Sequence, residues 1–265
     1  MRNLPVASRL ALQNWISKEI SNKYLIFFRI AFSSIWLTYD LIDFSKSETL
    51  KFIWFYRLPV RSNIVVSLQV LLILFEFGLL LGWHPRKMSF GAFLSRAFLS
   101  YFVTLNDFFY FSIVALILSV CDTEGWPNKP KQIAGWPRDI LVLQTAWIYF
   151  SSSILKMNPS FLNGSDLFVR QNYELAILPM YYPAFFRSFL STLWGNSILS
   201  WAAVLMEGGL AIALFTWLIF PRFRKFSRLL ALLLATGIHG YAAYTLNVFF
   251  FGASMIVQVA FLTKE

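Results

Sequence analysis

Hydrophobic positions along this chain form long unbroken runs rather than short alternating segments. Residues 65–82 are typical, because most of their positions are apolar and Glu76 is the one charged residue among them. A run of roughly 20 apolar residues crosses the hydrocarbon layer as a helix, which satisfies its own backbone hydrogen bonds in lipid. A membrane β-barrel would instead show segments of about ten residues with alternating polarity. The pattern therefore predicts an all-α integral membrane protein.

The number of these runs predicts a bundle of about eight transmembrane helices, with a range of seven to nine. The predicted spans are residues 24–41, 64–83, 90–105, 108–120, 140–155, 198–220, 229–244 and 248–262. The third and fourth spans are short, as are the last two, so each of these pairs is suited to a tight hairpin. The spans form one transmembrane domain over residues 24–265 and leave no room for a separate soluble domain.

Two segments outside the spans predict elements at the membrane surface. Residues 1–23 are polar and basic but place four apolar side chains on one helical face, which favours an interfacial amphipathic helix. The segment 156–197 is rich in aromatic residues, and Pro179 and Pro183 interrupt any continuous helix there. We expect an outer lid packed over the helix ends, or alternatively an aromatic belt that only anchors the bundle.

Composition supports the membrane assignment and excludes two kinds of site. Only 14% of the residues are charged, where a soluble domain has about a quarter. The single cysteine, Cys121, excludes an intramolecular disulfide and a cysteine metal site. With only two histidines, a histidine-rich metal centre is not expected either, so we predict no metal.

The net charge of +10 is spread over short loops without a nucleic-acid-binding motif, so we expect membrane lipids and not nucleic acid as partners. With the N-terminus inside, fifteen of the 23 Lys and Arg residues fall in inner segments, seven in outer segments and Arg29 in the first span. Cytoplasmic segments are enriched in Lys and Arg. This asymmetry predicts a multi-pass protein of the plasma (inner) membrane with both termini in the cytoplasm.

Ionisable side chains at membrane depth are costly, so each one is a candidate for function or for a structural pair. The candidates are Arg29, Asp40, Glu76, Lys156, Glu207 and His239. Arg29 and Glu76 both lie in the inner halves of their spans, which favours a structural ion pair between them. Asp40 lies near the outer end of its helix and is interpreted as a hydrated end-of-helix charge.

Lys156, Glu207 and His239 come from three different predicted helices and are expected to converge in the outer half of the bundle. Lys156 closes the fifth span, where one interpretation is a lysine whose ammonium reaches the headgroups. The other interpretation is a lysine partly desolvated in an apolar setting, where the amine serves as a general base. Convergence of titratable groups in an apolar cavity is typical of a functional site.

The segment around Lys156 resembles a known family. Tyr149-Phe150, Lys156, a short polar step with an aromatic residue and then Gly164 are similar to the Tyr-Phe…Lys…Asp-x-x-Trp…Gly pattern of vitamin K-dependent γ-carboxylases. The pattern also resembles their bacterial relatives, the horizontally transferred transmembrane (HTTM) domain proteins. Further features follow in the same order: Arg29-Ile30 at the start of the first helix, Gly82 before a basic turn, Glu207 in the sixth span and His239 in the seventh.

The resemblance implies a quinol-linked membrane enzyme. In the carboxylases, the lysine at the position of Lys156 is the base that deprotonates vitamin K hydroquinone. Lys156 is therefore the expected catalytic base, with His239 and Glu207 as supporting groups and a quinol (menaquinol or vitamin K-like) as the cofactor. Some small members of this group mature secreted antimicrobial peptides, so a small secreted peptide is the implied substrate or partner.

Two departures from the family argue against carboxylation of a protein glutamate. Where the carboxylases carry an Asn-Asn-His type sequence after the third span, this chain has Leu105, Asn106, Asp107 and Phe108. The sequence also contains no counterpart of the large lumenal region that recognises the carboxylases' protein substrates. We expect a carboxylase-like enzyme without that activity. The alternative is a non-enzymatic membrane protein that acts as an immunity, assembly or lipid-binding factor.

Overall fold

The computed structural model describes residues 15, 17–50, 62–102, 106–169, 188–246 and 249–264. Within these ranges the chain is mainly helical. The longer helices are α1 (Lys23–Leu50), α2 (Ser62–Leu81), α3 (Pro85–Phe102), α4 (Asn106–Val120) and α5 (Trp136–Lys156), then, after two short helices, α8 (Leu193–Ile219), α9 (Arg224–Leu246) and α10 (Phe249–Leu262). The short helices are α6 (Pro159–Leu162) and α7 (Ser165–Val169), and a 3₁₀ turn at Pro221–Phe223 joins α8 to α9.

Each of the eight predicted spans falls on one of the longer helices. Within the described residues, three segments are long and apolar enough to cross a membrane, namely Lys23–Ile42, Ile64–Leu81 and Leu193–Ile219. Two shorter helical segments, Phe109–Val120 and Phe250–Leu262, are also apolar. The chain is therefore a membrane protein by the length and composition of its helices.

Helix α2 has apolar side chains on the face where a helix of a soluble protein would have polar ones. Leu72, Glu76 and Leu79 are buried, whereas Leu74 and Phe77, on the opposite side, are more than half exposed. A row of large apolar side chains that faces outward along a helix requires an apolar solvent, because it would otherwise form an exposed hydrophobic patch. The buried side of the helix carries the one charged residue, which points to a polar contact inside the protein.

A small antiparallel ladder joins β1 (Glu19–Ser21) to β2 (Gln132–Ala134), with Ile20 opposite Ile133. Residues 19–21 were predicted to be helical, so that part of the interfacial helix prediction was wrong. These residues form a strand and not a helix because pairing with β2 supplies backbone hydrogen bonds that three isolated residues could not make as a helix. Residues 1–14 and 16 of the predicted interfacial helix lie outside the described residues.

The buried residue Asn22 fixes this ladder to the start of α1. Its backbone N–H donates to the Lys131 carbonyl at 2.9 Å, and its side-chain oxygen accepts from the Lys131 N–H at 2.8 Å. Its side-chain amide donates to the Asp122 carbonyl at 3.1 Å. The loop between α4 and β2 is thereby held by several hydrogen bonds at the point where α1 begins.

The helices group into two compact units. Unit 1 comprises the chain up to Leu141 together with Lys264, and unit 2 comprises Val142–Thr263. In unit 1, α1 packs on α2, α2 on α3 and α3 on α4, so sequence neighbours are also spatial neighbours. In unit 2, α8 packs on α9 and α9 on α10, while the short helices α6 and α7 pack on α8.

Gly164 explains how the short helices reach α8. Its φ of +84° lies in the left-handed region, and a Cβ there would collide with the backbone of Ser197 and Leu193 in α8. Only glycine adopts this conformation without strain and leaves room for the close approach. The predicted aromatic lid falls mostly on residues 170–187, which lie outside the described residues.

Candidate functional site

One face of α5 carries a row of polar side chains in unit 2. Thr145, Tyr149, Ser153 and Lys156 are spaced by four, four and three residues, so they lie along a single side of the helix. Each of them contacts another helix of unit 2. The side-chain amide of Gln258 in α10 donates to Thr145 Oγ1 at 2.6 Å, and both residues are buried.

Lys156, at the end of this row, pairs with Glu207 of α8. The Lys156 ammonium contacts Oε1 of Glu207 and donates to Ser152 Oγ at 2.9 Å. The side chain of Lys156 is 31% exposed, whereas that of Glu207 is 8% exposed. Lys156 therefore turns toward a buried carboxylate instead of only reaching outward, and its setting is more polar than the apolar pocket expected from the sequence.

Two turns earlier on α5, the Tyr149 hydroxyl hydrogen-bonds to Nε2 of the buried His239 in α9. The His239 ring lies edge-on to Phe251 of α10 at 5.7 Å between centroids. A Cβ on Gly252 would come within 2.9 Å of His239 Cβ, so this glycine makes room for the histidine.

The backbone of α8 comes close to α5 between these two pairs. Ser153 Oγ donates to the Val204 carbonyl at 3.1 Å, and a Cβ on Gly208 would lie 3.2 Å from the same hydroxyl oxygen. Glycine at this position keeps the two helices close enough for Lys156 to reach Glu207, the residue before Gly208. The structure therefore brings Lys156 and Glu207 into contact, and it pairs His239 with Tyr149, which lies two turns earlier on the same face of α5.

Two buried polar atoms of this site lack a hydrogen-bond partner among the described residues. They are Oε2 of Glu207 and Nδ1 of His239. Buried polar atoms are almost always hydrogen-bonded, so each such exception requires an explanation. A carboxylate oxygen accepts a hydrogen bond, and an imidazole nitrogen donates or accepts according to its tautomer. A hydroxyl or carbonyl group is therefore the kind of partner that would satisfy these two atoms.

The predicted ion pair between Arg29 and Glu76 was wrong. Arg29 instead donates to the carbonyls of Thr123 at 2.6 Å and Gly125 at 3.3 Å, and its guanidinium packs over Gly82. Gly82 has a φ of +74° at the turn after α2, and a Cβ there would lie 2.7 Å from the Arg29 guanidinium. Arg29 therefore fixes a loop and a turn against α1, because backbone carbonyls are closer to it than any carboxylate among the described residues.

Glu76 pairs with Arg96 of α3, which also contacts Asp40 of α1. Arg96 Nη2 lies 3.2 Å from Oε1 of Glu76 and also donates to Asp40. The Arg96 guanidinium packs over the rings of Trp36 and Phe111 at 5.2 and 4.5 Å. Asp40 is buried here rather than hydrated, so its assignment as an end-of-helix charge was also wrong. Both errors arise because depth along a span does not specify which helix face meets which neighbour.

Sequence reasoning missed two further parts of these clusters. Tyr149 was noted only within the family pattern, although its spacing of seven residues from Lys156 puts both on the same helix face. Arg96 was counted with the inner loops, but it is fully buried in α3. Without Arg96, the predicted inner segments contain fourteen Lys and Arg residues and the predicted outer segments contain seven, so the predicted charge asymmetry persists.

Comparison with known proteins identified no relative of this chain. No protein-family model matches the chain, and neither a curated protein nor a solved structure matches it.

Proposed function

We propose that this protein is a quinol-linked membrane enzyme in which Lys156 removes a proton from a hydrophobic quinol. The observation that carries the proposal is the contact between the partly exposed Lys156 ammonium and the buried Glu207 carboxylate. A lysine that served only as an interfacial charge would need no buried partner. The resemblance of the Tyr149–Gly164 segment to the HTTM group and the γ-carboxylases leads to the same assignment.

Glu207 supplies the step that makes Lys156 a base. The pair is an ammonium and a carboxylate, and transfer of one proton from Nζ to Glu207 gives a neutral amine and a carboxylic acid. The quinol O–H then gives its proton to Nζ, which leaves a quinolate anion beside an ammonium. The step conserves net charge and involves no oxidation or reduction. A positioned base of this kind typically contributes a rate factor of about 10²–10⁴.

His239 and Tyr149 provide the second binding group for the same substrate. A hydroquinone carries two oxygens on opposite sides of its ring, so one oxygen can face Lys156 while the other meets Nδ1 of His239. The hydrogen bond between the Tyr149 hydroxyl and Nε2 fixes the orientation of the imidazole. The tautomer in which Nδ1 bears the proton suits a substrate carbonyl, and the other tautomer suits a hydroxyl. Menaquinol or a vitamin K-like quinol fits these requirements.

The membrane arrangement belongs to the same proposal. Eight helices cross the plasma (inner) membrane, both termini lie in the cytoplasm and Lys156 lies toward the outer side. Support comes from the excess of inner over outer cations and from the position of Lys156 at the end of α5. A site on the outer side suits a small secreted peptide as the second substrate, which agrees with the peptide-maturation role of some small members of the group that the Tyr149–Gly164 segment resembles.

The experiment compares wild type with Lys156→Arg and Lys156→Met in an oxygen-dependent menaquinol consumption assay. Arginine keeps the positive charge and can still pair with Glu207, but it does not release its proton in proteins. Both variants should therefore lose activity by about 10²-fold or more, the contribution of a general base. Lys156→Arg should fold normally, whereas Lys156→Met leaves the Glu207 carboxylate unpaired and should unfold at a lower temperature. Lys129→Arg, at an exposed loop position, is the matched control and should retain full activity.

Folding is monitored by thermal unfolding in detergent, so that loss of activity is separated from loss of structure. Full activity in folded Lys156→Arg protein would contradict the base assignment. It would instead support the alternative, non-enzymatic interpretation, in which the Lys156–Glu207 pair is a structural clamp of an immunity, assembly or lipid-binding factor.

A further inference from the structure

The cluster around Arg96 in unit 1 contains more negative than positive groups. Asp40 from α1 and Glu76 from α2 both contact the one guanidinium of Arg96 from α3. Arg96 and Glu76 are fully buried, and the side chain of Asp40 is 10% exposed. None of these residues takes part in the Lys156 site, which lies in unit 2.

The two carboxyl groups of the cluster lie close to each other. Oδ2 of Asp40 and Oε1 of Glu76 both contact the same nitrogen, Nη2 of Arg96. Two ionised carboxylates repel each other and neither can donate a hydrogen bond. When one of them carries a proton, the two groups can form an O–H···O⁻ hydrogen bond, which is among the stronger kinds in proteins.

A second observation is that one carboxylate oxygen of the cluster is buried without a hydrogen-bond partner. Oε2 of Glu76 is completely buried and meets no donor among the described residues. A buried charged oxygen without a donor is costly, and more so in an apolar surrounding than near water. A neutral carboxyl group removes that cost, because its oxygen no longer carries the negative charge.

Charge balance gives the same result. Asp40 and Glu76 both form ion pairs with Arg96. With both carboxylates ionised the cluster would carry one uncompensated negative charge inside an apolar helix layer, surrounded by Trp36 and Phe111. Uptake of one proton makes the cluster neutral.

We propose that Asp40 and Glu76 share one bound proton over Arg96, so that unit 1 contains a proton-binding site separate from the Lys156 site. Asp40 is the entry point, because it is the member of the pair with measurable exposure, and Glu76 is the enclosed partner. Release of the proton leaves two carboxylates against one guanidinium and weakens the contact between α1 and α2. Proton occupancy therefore controls how firmly these two helices are joined.

Infrared difference spectroscopy of the full chain in lipid nanodiscs tests this proposal. A protonated carboxyl group has a C=O stretch that ionised carboxylates and amides do not have. Wild type near neutral pH should show this band with the intensity of one carboxyl group, and the band should disappear as the pH is raised. Glu76→Gln and Asp40→Asn should each abolish the band, whereas Glu207→Gln should leave it in place.

Thermal unfolding supplies an independent readout. The folded protein binds one more proton than the unfolded chain at a pH above the ordinary carboxyl pKa of about 4, so the stability of wild type should fall as the pH rises from there until the bound proton is lost. Glutamine resembles the protonated glutamate in shape and charge. Glu76→Gln should therefore lack this decline and unfold near the wild-type temperature at neutral pH. If Glu76→Gln does not fold, Asp40→Asn provides the same comparison.

Three results would overturn the proposal. One is the absence of the carboxyl band from folded wild type at neutral pH. Another is a band that persists in both Glu76→Gln and Asp40→Asn. The third is a band that Glu207→Gln also abolishes, because the protonated group would then belong to the Lys156 site.

Discussion

Tyr149 and His239 form a buried hydrogen bond whose role is separable from that of Lys156. Tyr149→Phe removes the hydroxyl and leaves Nε2 of His239 without its partner. An orphaned buried polar atom typically costs about 1–3 kcal/mol. We expect this variant to unfold at a lower temperature and to consume menaquinol more slowly, though less severely so than Lys156→Arg. Thermal unfolding in detergent and the consumption assay measure the two effects.

Tyr24→Phe is the matched control for Tyr149→Phe. Tyr24 lies in unit 1 and packs under the Lys264 ammonium at 5.1 Å. Its ring contact survives loss of the hydroxyl, so both stability and activity should be unchanged. Equal stability losses in the two variants would show that the hydrogen bond between Tyr149 and His239 makes no specific contribution to stability.

At the residue scale, the sequence identified the ionisable groups at depth but not their partners. Burial of Arg29, Glu76, Glu207 and His239 follows from their position within apolar runs, and all four are buried. Partner choice depends on the rotation of each helix about its axis and on which helices are neighbours. Because the sequence does not give these rotations, Glu76 was assigned to Arg29 and not to Arg96. Lys156 and Glu207, in contrast, were placed in the same group and are in contact.

At the element scale, long apolar runs predicted the helices well because lipid leaves the backbone few alternatives. The β1–β2 ladder could not be predicted, since three residues do not show a period and their pairing partners are more than 100 positions apart. The entry to α8 was marked in the sequence by Gly164, but only as part of a family pattern. The structure supplies its physical reason, a left-handed turn in close contact with α8.

Gly164→Ala tests this packing. The left-handed conformation costs a non-glycine residue roughly 1–2 kcal/mol, and the added methyl group also meets the α8 backbone. We expect a clear drop in unfolding temperature and weaker activity, because α8 carries Glu207. Gly240→Ala is the control: a Cβ at that helical position has nothing within 4 Å, so the variant should be neutral or slightly stabilised. A Gly164→Ala protein as stable as Gly240→Ala would argue against close contact between α7 and α8.

At the scale of the whole molecule, the proposed orientation can be tested by cysteine labelling. Asn128→Cys and Ser191→Cys introduce exposed thiols in an inner and an outer segment, respectively. A membrane-impermeant maleimide added to spheroplasts should modify Ser191→Cys alone, and Asn128→Cys should react only after the membrane is opened. The reverse pattern would invert the orientation and move Lys156 to the cytoplasmic side.

The native Cys121 does not interfere with that experiment. It is 1% exposed, and burial raises the pKa of its thiol to about 12. The reactive thiolate is therefore scarce near neutral pH, so the unsubstituted protein should remain unlabelled while it is folded.

The central claim, that Lys156 takes a proton from a quinol, is tested most directly by rapid mixing of the protein with menaquinol in the absence of oxygen. The ionised quinol absorbs differently from the neutral form, so the proton transfer is observed before any oxidation. In wild type the quinolate should appear rapidly, and in folded Lys156→Arg at least about 100-fold more slowly, because arginine cannot accept the proton. Appearance of the quinolate at the same rate in both proteins would contradict the assignment of Lys156 as the base.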